Sequence, residues 1–159
     1  IDTNNFMNRT GVRTFEAAAF LRRCGADITR VRKLLRDNLD SYQARAEAVR
    51  NAVIYREYFA ISQCPSEGLE SPTVVGAQAA NELLNIKGIK ASFVLTEYQG
   101  KIYISARSID EVNVQIIMER MGGGGHMSIA ACQMEGTSLI EAIGVLKHVI
   151  DTMLENGEL

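Results

Sequence analysis

Apolar residues recur at helical spacing near the start of the chain, give way to β-branched and aromatic runs in its middle, and return to helical spacing at its end. Thr14 followed by Phe15-Glu16-Ala17-Ala18-Ala19-Phe20-Leu21 predicts a helix with a hydroxyl cap, an acid in its first turn and an apolar stripe. Gly25 ends it, because glycine takes the left-handed cap conformation without a Cβ penalty. Asp27 offers a cap to a second helix carrying Ile28, Val31, Leu34 and Leu35, with Arg30, Arg32, Lys33 and Arg36 on its solvated face. From Asp40 to about Ala52, a weakly apolar run rich in Ala and Arg reads as a helix connecting two lobes.

Val53–Cys64 changes to β-branched and aromatic residues and predicts a strand, followed by a turn at Pro65-Ser66-Glu67-Gly68. Ser71-Pro72 opens the next helix, whose apolar face is Val74, Val75, Ala79, Leu83 and Leu84 and which Gly88 closes. Lys90–Tyr98 and Lys101–Ser108 flank Gln99-Gly100 as the two arms of a hairpin. Asn113–Met121 predicts a short helix ending at Gly122, and another helix is expected to start at about Met127–Cys132. Ser138-Leu139-Ile140-Glu141 is a capping box for a last helix reaching about Glu155. Strands interleaved with helices, one pair of them antiparallel, predict an α/β fold in which helices pack on a mixed β-sheet.

Composition narrows the function classes. The 159 residues are 47% hydrophobic, enough for a real core, and the net charge of −2 excludes a nucleic-acid binder that works by bulk charge. The longest apolar run, Ala17–Leu21, is far short of a membrane span. Charge is uneven: residues 1–50 carry a balance of +4 and residues 51–159 a balance of −6, which suggests two units of different origin. Cys24, Cys64 and Cys132 form no CxxC pair and have apolar neighbours, so all three are expected to be buried, reduced structural thiols in a cytosolic compartment. The chain opens Ile1-Asp2-Thr3 without an initiator Met or a signal pattern, which predicts a piece of a longer protein, with Ile1 closing a buried strand.

The most unusual feature is Gly122-Gly123-Gly124-Gly125-His126. Ordering four consecutive glycines costs much backbone entropy, and a tight turn seldom needs more than one. A loop without Cβ atoms lets an anion reach peptide N–H groups, here next to the expected helix start, with His126 at the rim as a donor to phosphate oxygen. The alternative is a flexible hinge with a surface histidine. Ser105-Ala106-Arg107-Ser108 ends a strand; Arg107 can grip a phosphate through parallel hydrogen bonds, and the hydroxyl of Ser108 can add one. The competing reading of Arg107 is an ordinary strand-end arginine paired with Asp110 or Glu111. Asp2 is the candidate metal ligand, and one carboxylate cannot hold a catalytic divalent ion. His148, among Leu146, Val149 and Ile150, reads as an ordinary helix residue. From the residues alone, the chain is a phosphate-binding α/β module.

Two blocks carry a family resemblance. Asp2-Thr3…Phe6…Thr10…Arg13-Thr14-Phe15…Ala18…Leu21…Gly25-Ala26-Asp27 resembles the end of the catalytic domain of the DHH phosphoesterase superfamily. Ser105…Arg107-Ser108…Asn113-Val114…Gly122-Gly123-Gly124-Gly125-His126…Ala130-Ala131 resembles the DHH-associated substrate-binding domain. The likeness covers essentially the whole chain and is nearest to the membrane-anchored bacterial phosphodiesterases that hydrolyse cyclic di-AMP. It implies residues 1–37 as the end of the catalytic domain, 38–52 as a connector helix and 53–159 as the associated domain. It also implies that Asp2 is one ligand of a manganese pair whose other motifs, including the Asp-His-His triplet, are absent here. Arg107, Ser108, Gly122, Gly123, Gly124, Gly125 and His126 then hold the nucleotide's phosphates and sugar, with Arg9 and Arg13 as weaker candidates.

The implied activity is metal-dependent hydrolysis of cyclic di-AMP to linear pApA at the cytoplasmic face of the bacterial membrane, to which N-terminal helices absent from this chain anchor the parent. The chain alone is expected to be soluble, to bind nucleotide and to cleave nothing; a second copy of itself is a candidate partner, and long nucleic acid is not. Two other readings stand beside this one. The chain could belong to an oligoribonuclease or exonuclease of the same superfamily, or it could be a non-catalytic nucleic-acid-binding or tRNA-editing-type module.

Overall fold

The computed structural model describes Thr3, Phe6, residues 10–109 and residues 111–159, and the chain divides into two units, Ile1–Asp37 and Asn38–Leu159. Ile1, Asp2, Arg9 and Asp110 lie outside the described residues. The first unit carries helices α1 (Val12–Arg23) and α2 (Ile28–Leu34). α1 begins earlier than Thr14: Gly11 is its N-cap, and Thr14 sits in the first turn, where its hydroxyl oxygen accepts the Gly11 N–H at 3.3 Å. Gly25 takes the expected left-handed conformation at φ 93°. Asp27 caps α2 by accepting the N–H groups of Thr29 and Arg30. No residue of either helix is buried, and Phe15, Phe20, Leu21 and Leu34 are exposed.

The second unit is built on one six-stranded sheet. Its strands are β1 (Val53–Tyr55), β2 (Phe59–Cys64), β3 (Ala91–Tyr98), β4 (Lys101–Ser108), β5 (Gly124–His126) and β6 (Ile129–Glu135), in the order β1-β2-β3-β4-β6-β5. β2 and β3 are parallel and every other pair is antiparallel, which makes the sheet mixed. The helices are α3 (Leu39–Arg50), α4 (Pro72–Leu83), α5 (Val114–Arg120) and α6 (Leu139–Glu155). The Gln99-Gly100 hairpin forms as expected, with both residues at positive φ (51° and 73°), the conformation a two-residue hairpin turn requires.

Two expectations fail for physical reasons. Val53–Cys64 is not one strand: Arg56 and Glu57, at φ 47° and 70°, turn the chain back on itself so that β1 pairs with β2. Neither residue is a glycine or asparagine, so the turn has no signature in the sequence. Nor is there a helix at Met127–Cys132. The segment enters β6, where Ala130 and Cys132 are buried and Ile129, Ala131 and Gln133 are exposed, the period-two pattern of a strand covered on one face.

The sheet divides the unit into two layers of core. On one face, Phe59, Phe93, Leu95, Ile102, Ile104 and Ala106 pack against Val114, Ile117 and Met118 of α5 and Ala142, Leu146, Ile150 and Met153 of α6. The spacing of that α6 set places it on a single stripe, and burying each of the larger members contributes roughly 1.5–3 kcal/mol. The Ser138–Glu141 capping box starts the helix as expected. On the other face, Ala60, Cys64 and Val94 meet α3 and α4 through Ala44, Ala48, Val75, Ala79, Ala80 and Leu83. The hydroxyls of Ser62 and Ser92 donate to the carbonyls of Ala48 and Ala80, at 2.5 and 2.7 Å, and pin both helices to the sheet. The helix read as a connector, α3, also packs on the sheet as part of this layer. α4 lies especially close: a Cβ on Gly76 would stand 2.3 Å from the Thr96 hydroxyl oxygen.

The cysteines separate. Cys64 and Cys132 are buried as expected, and burial pushes both thiols up to about 11; Cys24 is exposed, contrary to expectation. At pH 8 only about one in a thousand of the two buried thiols is ionised, and the thiolate is the reactive form. Iodoacetamide at pH 8 is expected to modify Cys24 alone in the native chain, read by peptide mass spectrometry. Modification of Cys132 at the rate of Cys24 would contradict this packing.

Candidate functional site

Strand pairing brings Arg107 and His126 into one row although 19 residues separate them in sequence. Arg107 on β4 stands opposite Ile129 on β6, and Ile129 stands opposite His126 on β5. Directly paired residues point to the same side of a sheet, so all three side chains share a face two strand spacings, about 10 Å, wide. One step along, Ser105, Ala131 and Gly124 form the next row, and Tyr103 with Gln133 forms the one after. This is the face that α3 and α4 cover over β2 and β3. Past α4 it lies open, with Ile129, Ala131, Gln133 and His126 exposed.

Ser108 is not brought into this row. Alternation along β4 turns it to the core face, where it is buried; its N–H donates to the Ser128 carbonyl at 3.0 Å and its hydroxyl to that of Met127 at 3.5 Å. Those bonds hold the turn between β5 and β6. Arg13 is exposed on the first unit.

The four glycines have different reasons to be glycine. Gly122 closes α5 at φ 81°, its N–H donating to Glu119 and that of Gly123 to Met118. Gly123 lies against β6, where a Cβ would stand 2.2 Å from the Ala131 carbonyl oxygen. Gly125 combines φ 149° with a would-be Cβ 2.5 Å from the Ala130 Cα. Gly124 alone of the four has an ordinary φ and nothing within 4 Å of the added atom, on the edge strand of the open face. The helix N-terminus expected beside this loop does not exist. The neighbouring helix end is the C-terminus of α5, whose dipole repels an anion. Attraction for an anion must come from side chains and from the outward backbone N–H groups of β5, the edge strand.

Burial among neutral acceptors, rather than the lack of a carboxylate alone, sets Arg107 apart. Lys101 pairs with Glu135 at 2.6 Å, Lys90 with Glu111, Arg45 with Glu82, Arg56 with Asp151 and Arg120 with Glu158. Arg107, among the described residues, has no carboxylate partner. Its Nε donates to Asn81 Oδ1 at 3.1 Å, and its Nη1 donates to the carbonyls of Ala106 at 2.9 Å and Ala130 at 3.5 Å. Burial lowers its pKa from the ordinary guanidinium value. A half-buried cation satisfied only by neutral acceptors keeps its charge available to an incoming anion, and a charge-assisted bond formed there is stronger than one in water. The sequence marks neither Asn81, 26 residues away, nor the exposed Ile129 that floors the row.

No group of three or more His, Cys, Asp or Glu among the described residues is placed to hold a metal ion. The manganese pair implied by the resemblance therefore has no set of ligands among the described residues. No helix among them is long and apolar enough to cross a membrane.

Comparison with known proteins agrees with this architecture. The DHHA1 domain family matches residues 58–155. The chain is 45% identical over 159 residues to the cyclic-di-AMP phosphodiesterase GdpP of Bacillus subtilis, covering 99% of this chain and 24% of that protein. It is 43% identical over 152 residues to the cyclic-di-AMP phosphodiesterase PdeA of Listeria monocytogenes, covering 95% and 23%. The chain thus spans about a quarter of the length of these curated relatives. Among solved structures, an exopolyphosphatase-related protein from Bacteroides fragilis superposes with a TM-score of 0.82 at 20% identity, over 95% of this chain and 46% of that one, a likeness of fold. The family match spans most of the six-stranded mixed sheet, with Arg107 and the glycine run inside it, and the chain belongs to the DHHA1 domain family, the C-terminal partner domain of the DHH phosphoesterase superfamily.

Proposed function

We propose that this chain is the substrate-binding part of a cyclic-di-AMP phosphodiesterase that opens cyclic di-AMP to linear pApA. The observation that carries this reading is the half-buried guanidinium of Arg107, with no carboxylate partner among the described residues, on an open face it shares with His126 and Gly124. The names of the relatives at 45% and 43% identity supply the substrate class. Arg107 neutralises a phosphate, the His126 ring donates to a phosphate or sugar oxygen, and the bare backbone at Gly124 lets the ligand lie close to the sheet. Fixing the dinucleotide this way supplies orientation, not bond cleavage.

Hydrolysis belongs, on this reading, to metal-binding residues of the parent outside this chain; Asp2 as one manganese ligand is carried by the resemblance alone. The parent would act at the cytoplasmic face of the membrane, and residues 1–37 would be the end of its catalytic domain. Calorimetric titration of the chain with pApA and with cyclic di-AMP, with and without manganese, tests the reading together with product analysis. Binding without metal and no cleavage is the expected result. Hydrolysis of cyclic di-AMP by the chain and manganese alone, at enzyme-like rates, would overturn it. Faster cleavage of short linear RNA than of cyclic di-AMP by the parent would favour the oligoribonuclease reading.

A further inference from the structure

Arg107 has five N–H donors, and the three hydrogen bonds it makes leave both donors of Nη2 without an acceptor among the described residues. Two of its acceptors are backbone carbonyls of β4 and β6, which come with the sheet whatever the sequence. The third, Asn81 Oδ1, is a side chain delivered by α4, and it fixes the Nε edge of the guanidinium. Asn81 itself is exposed, so water would serve its amide equally well and the fold gains little from the bond. Arg107 gains more: a long, rotamer-rich side chain is held before any ligand arrives. The acceptor is also neutral. A carboxylate there would form the same bond and cancel the charge, as Glu135 does for Lys101 and Glu82 for Arg45.

We propose that Asn81 is a positioning residue for phosphate recognition, holding the Arg107 guanidinium in place without neutralising it, so that its Nη2 end meets a ligand phosphate. The proposal rests on the reading of Arg107 as the phosphate-binding group. Its consequence is a dissociation of stability from binding that a purely structural role does not produce. Asn81→Ala frees the guanidinium and is expected to weaken binding about 3- to 10-fold, the effect of one hydrogen bond. Asn81→Asp keeps the hydrogen bond but adds an opposing charge, so it is expected to weaken binding more, about 30-fold or beyond. The same variant is expected to melt no lower than the parent chain, because it converts the bond into an ion pair.

The test titrates linear pApA to millimolar concentration into the full chain by NMR. It compares the unsubstituted protein with Asn81→Ala, Asn81→Asp, Arg107→Ala and the Asn81→Ala/Arg107→Ala pair, with thermal melts of each. The expected pattern is the order above, with Asn81→Ala adding nothing once Arg107 is gone. An equal loss from Asn81→Ala with or without Arg107 would overturn the proposal, because Asn81 would then act on the ligand itself. Unchanged binding in both Asn81 variants, with Arg107→Ala impaired, would overturn it while sparing the phosphate site. If Arg107→Ala bound pApA as tightly as the unsubstituted chain, the reading of the site itself would fall first.

Discussion

Replacing Arg107 with alanine is expected to weaken binding of pApA by about 10- to 100-fold, the range for one charge-assisted hydrogen-bonding group. The melting temperature is expected to stay the same or rise slightly. Both halves follow from one environment. The guanidinium is half-buried and desolvated, its acceptors are an exposed amide and two backbone carbonyls, and no carboxylate among the described residues is left unpaired when it goes. Most buried arginines behave differently, because removing one strands a partner charge and costs several kcal/mol. Arg45, buried between Glu82 at 2.6 Å and Gln78 at 3.0 Å, is the internal control: Arg45→Ala removes buried packing and both contacts and is expected to destabilise the unit, and Arg107→Ala is not. Isothermal titration and thermal melts of the two variants check the contrast. Unchanged pApA affinity in Arg107→Ala would remove the foundation of the proposed site.

The glycine run is expected to split into structural and functional positions. Gly125→Ala forces a side chain into a backbone conformation at φ 149° and drives its Cβ to 2.5 Å from the Ala130 Cα, which β6 cannot vacate without breaking its pairing with β4. Gly123→Ala presses on the Ala131 carbonyl at 2.2 Å. Each is expected to cost about 2–4 kcal/mol, overpacking with backbone strain added at Gly125. Gly122→Ala carries the milder penalty of a left-handed helix end, about 1 kcal/mol. Gly124→Ala meets nothing within 4 Å and is expected to leave stability within about 0.5 kcal/mol, yet to reduce pApA binding because its methyl group stands on the open face. Urea unfolding of the four variants, beside titration of those that fold, separates the roles. A Gly124→Ala variant that bound normally would show that the ligand keeps clear of this loop.

Much of the frame is legible from residue patterns because local chemistry dictates it. Gln99-Gly100 makes the hairpin, Ser138 and Glu141 cap α6 reciprocally, Ser71-Pro72 opens α4 and Gly122 ends α5. What stays hidden depends on pairing between distant segments. Ile129–Cys132 is too short an apolar run to choose between helix and strand by itself; its place between β4 and β5 chooses. Arg56 and Glu57 turn the chain without a turn residue. Four glycines in a row suggest one shared purpose, whereas three of them answer to β6 and the end of α5. Arg107 and His126 stand out as residue types, but their common face exists only through Ile129 between them, and Ser108 drops out of it by strand alternation. Asp2 lies outside the described residues, so its assignment depends on the family resemblance.

On the reading proposed above, a dinucleotide binds on the open face of β4, β6 and β5. Titrating isotope-labelled chain with pApA while following backbone amide shifts by NMR tests it residue by residue, without metal and without any substitution. The largest shifts are expected at Ser105, Arg107, Gly124, His126 and Ile129, falling away across β3 and absent from α6. Shifts centred elsewhere, such as the 310 Å³ cavity lined by Asn51, Gln63 and Lys147 at the far edge of the sheet, or no shifts at millimolar pApA, would contradict the account.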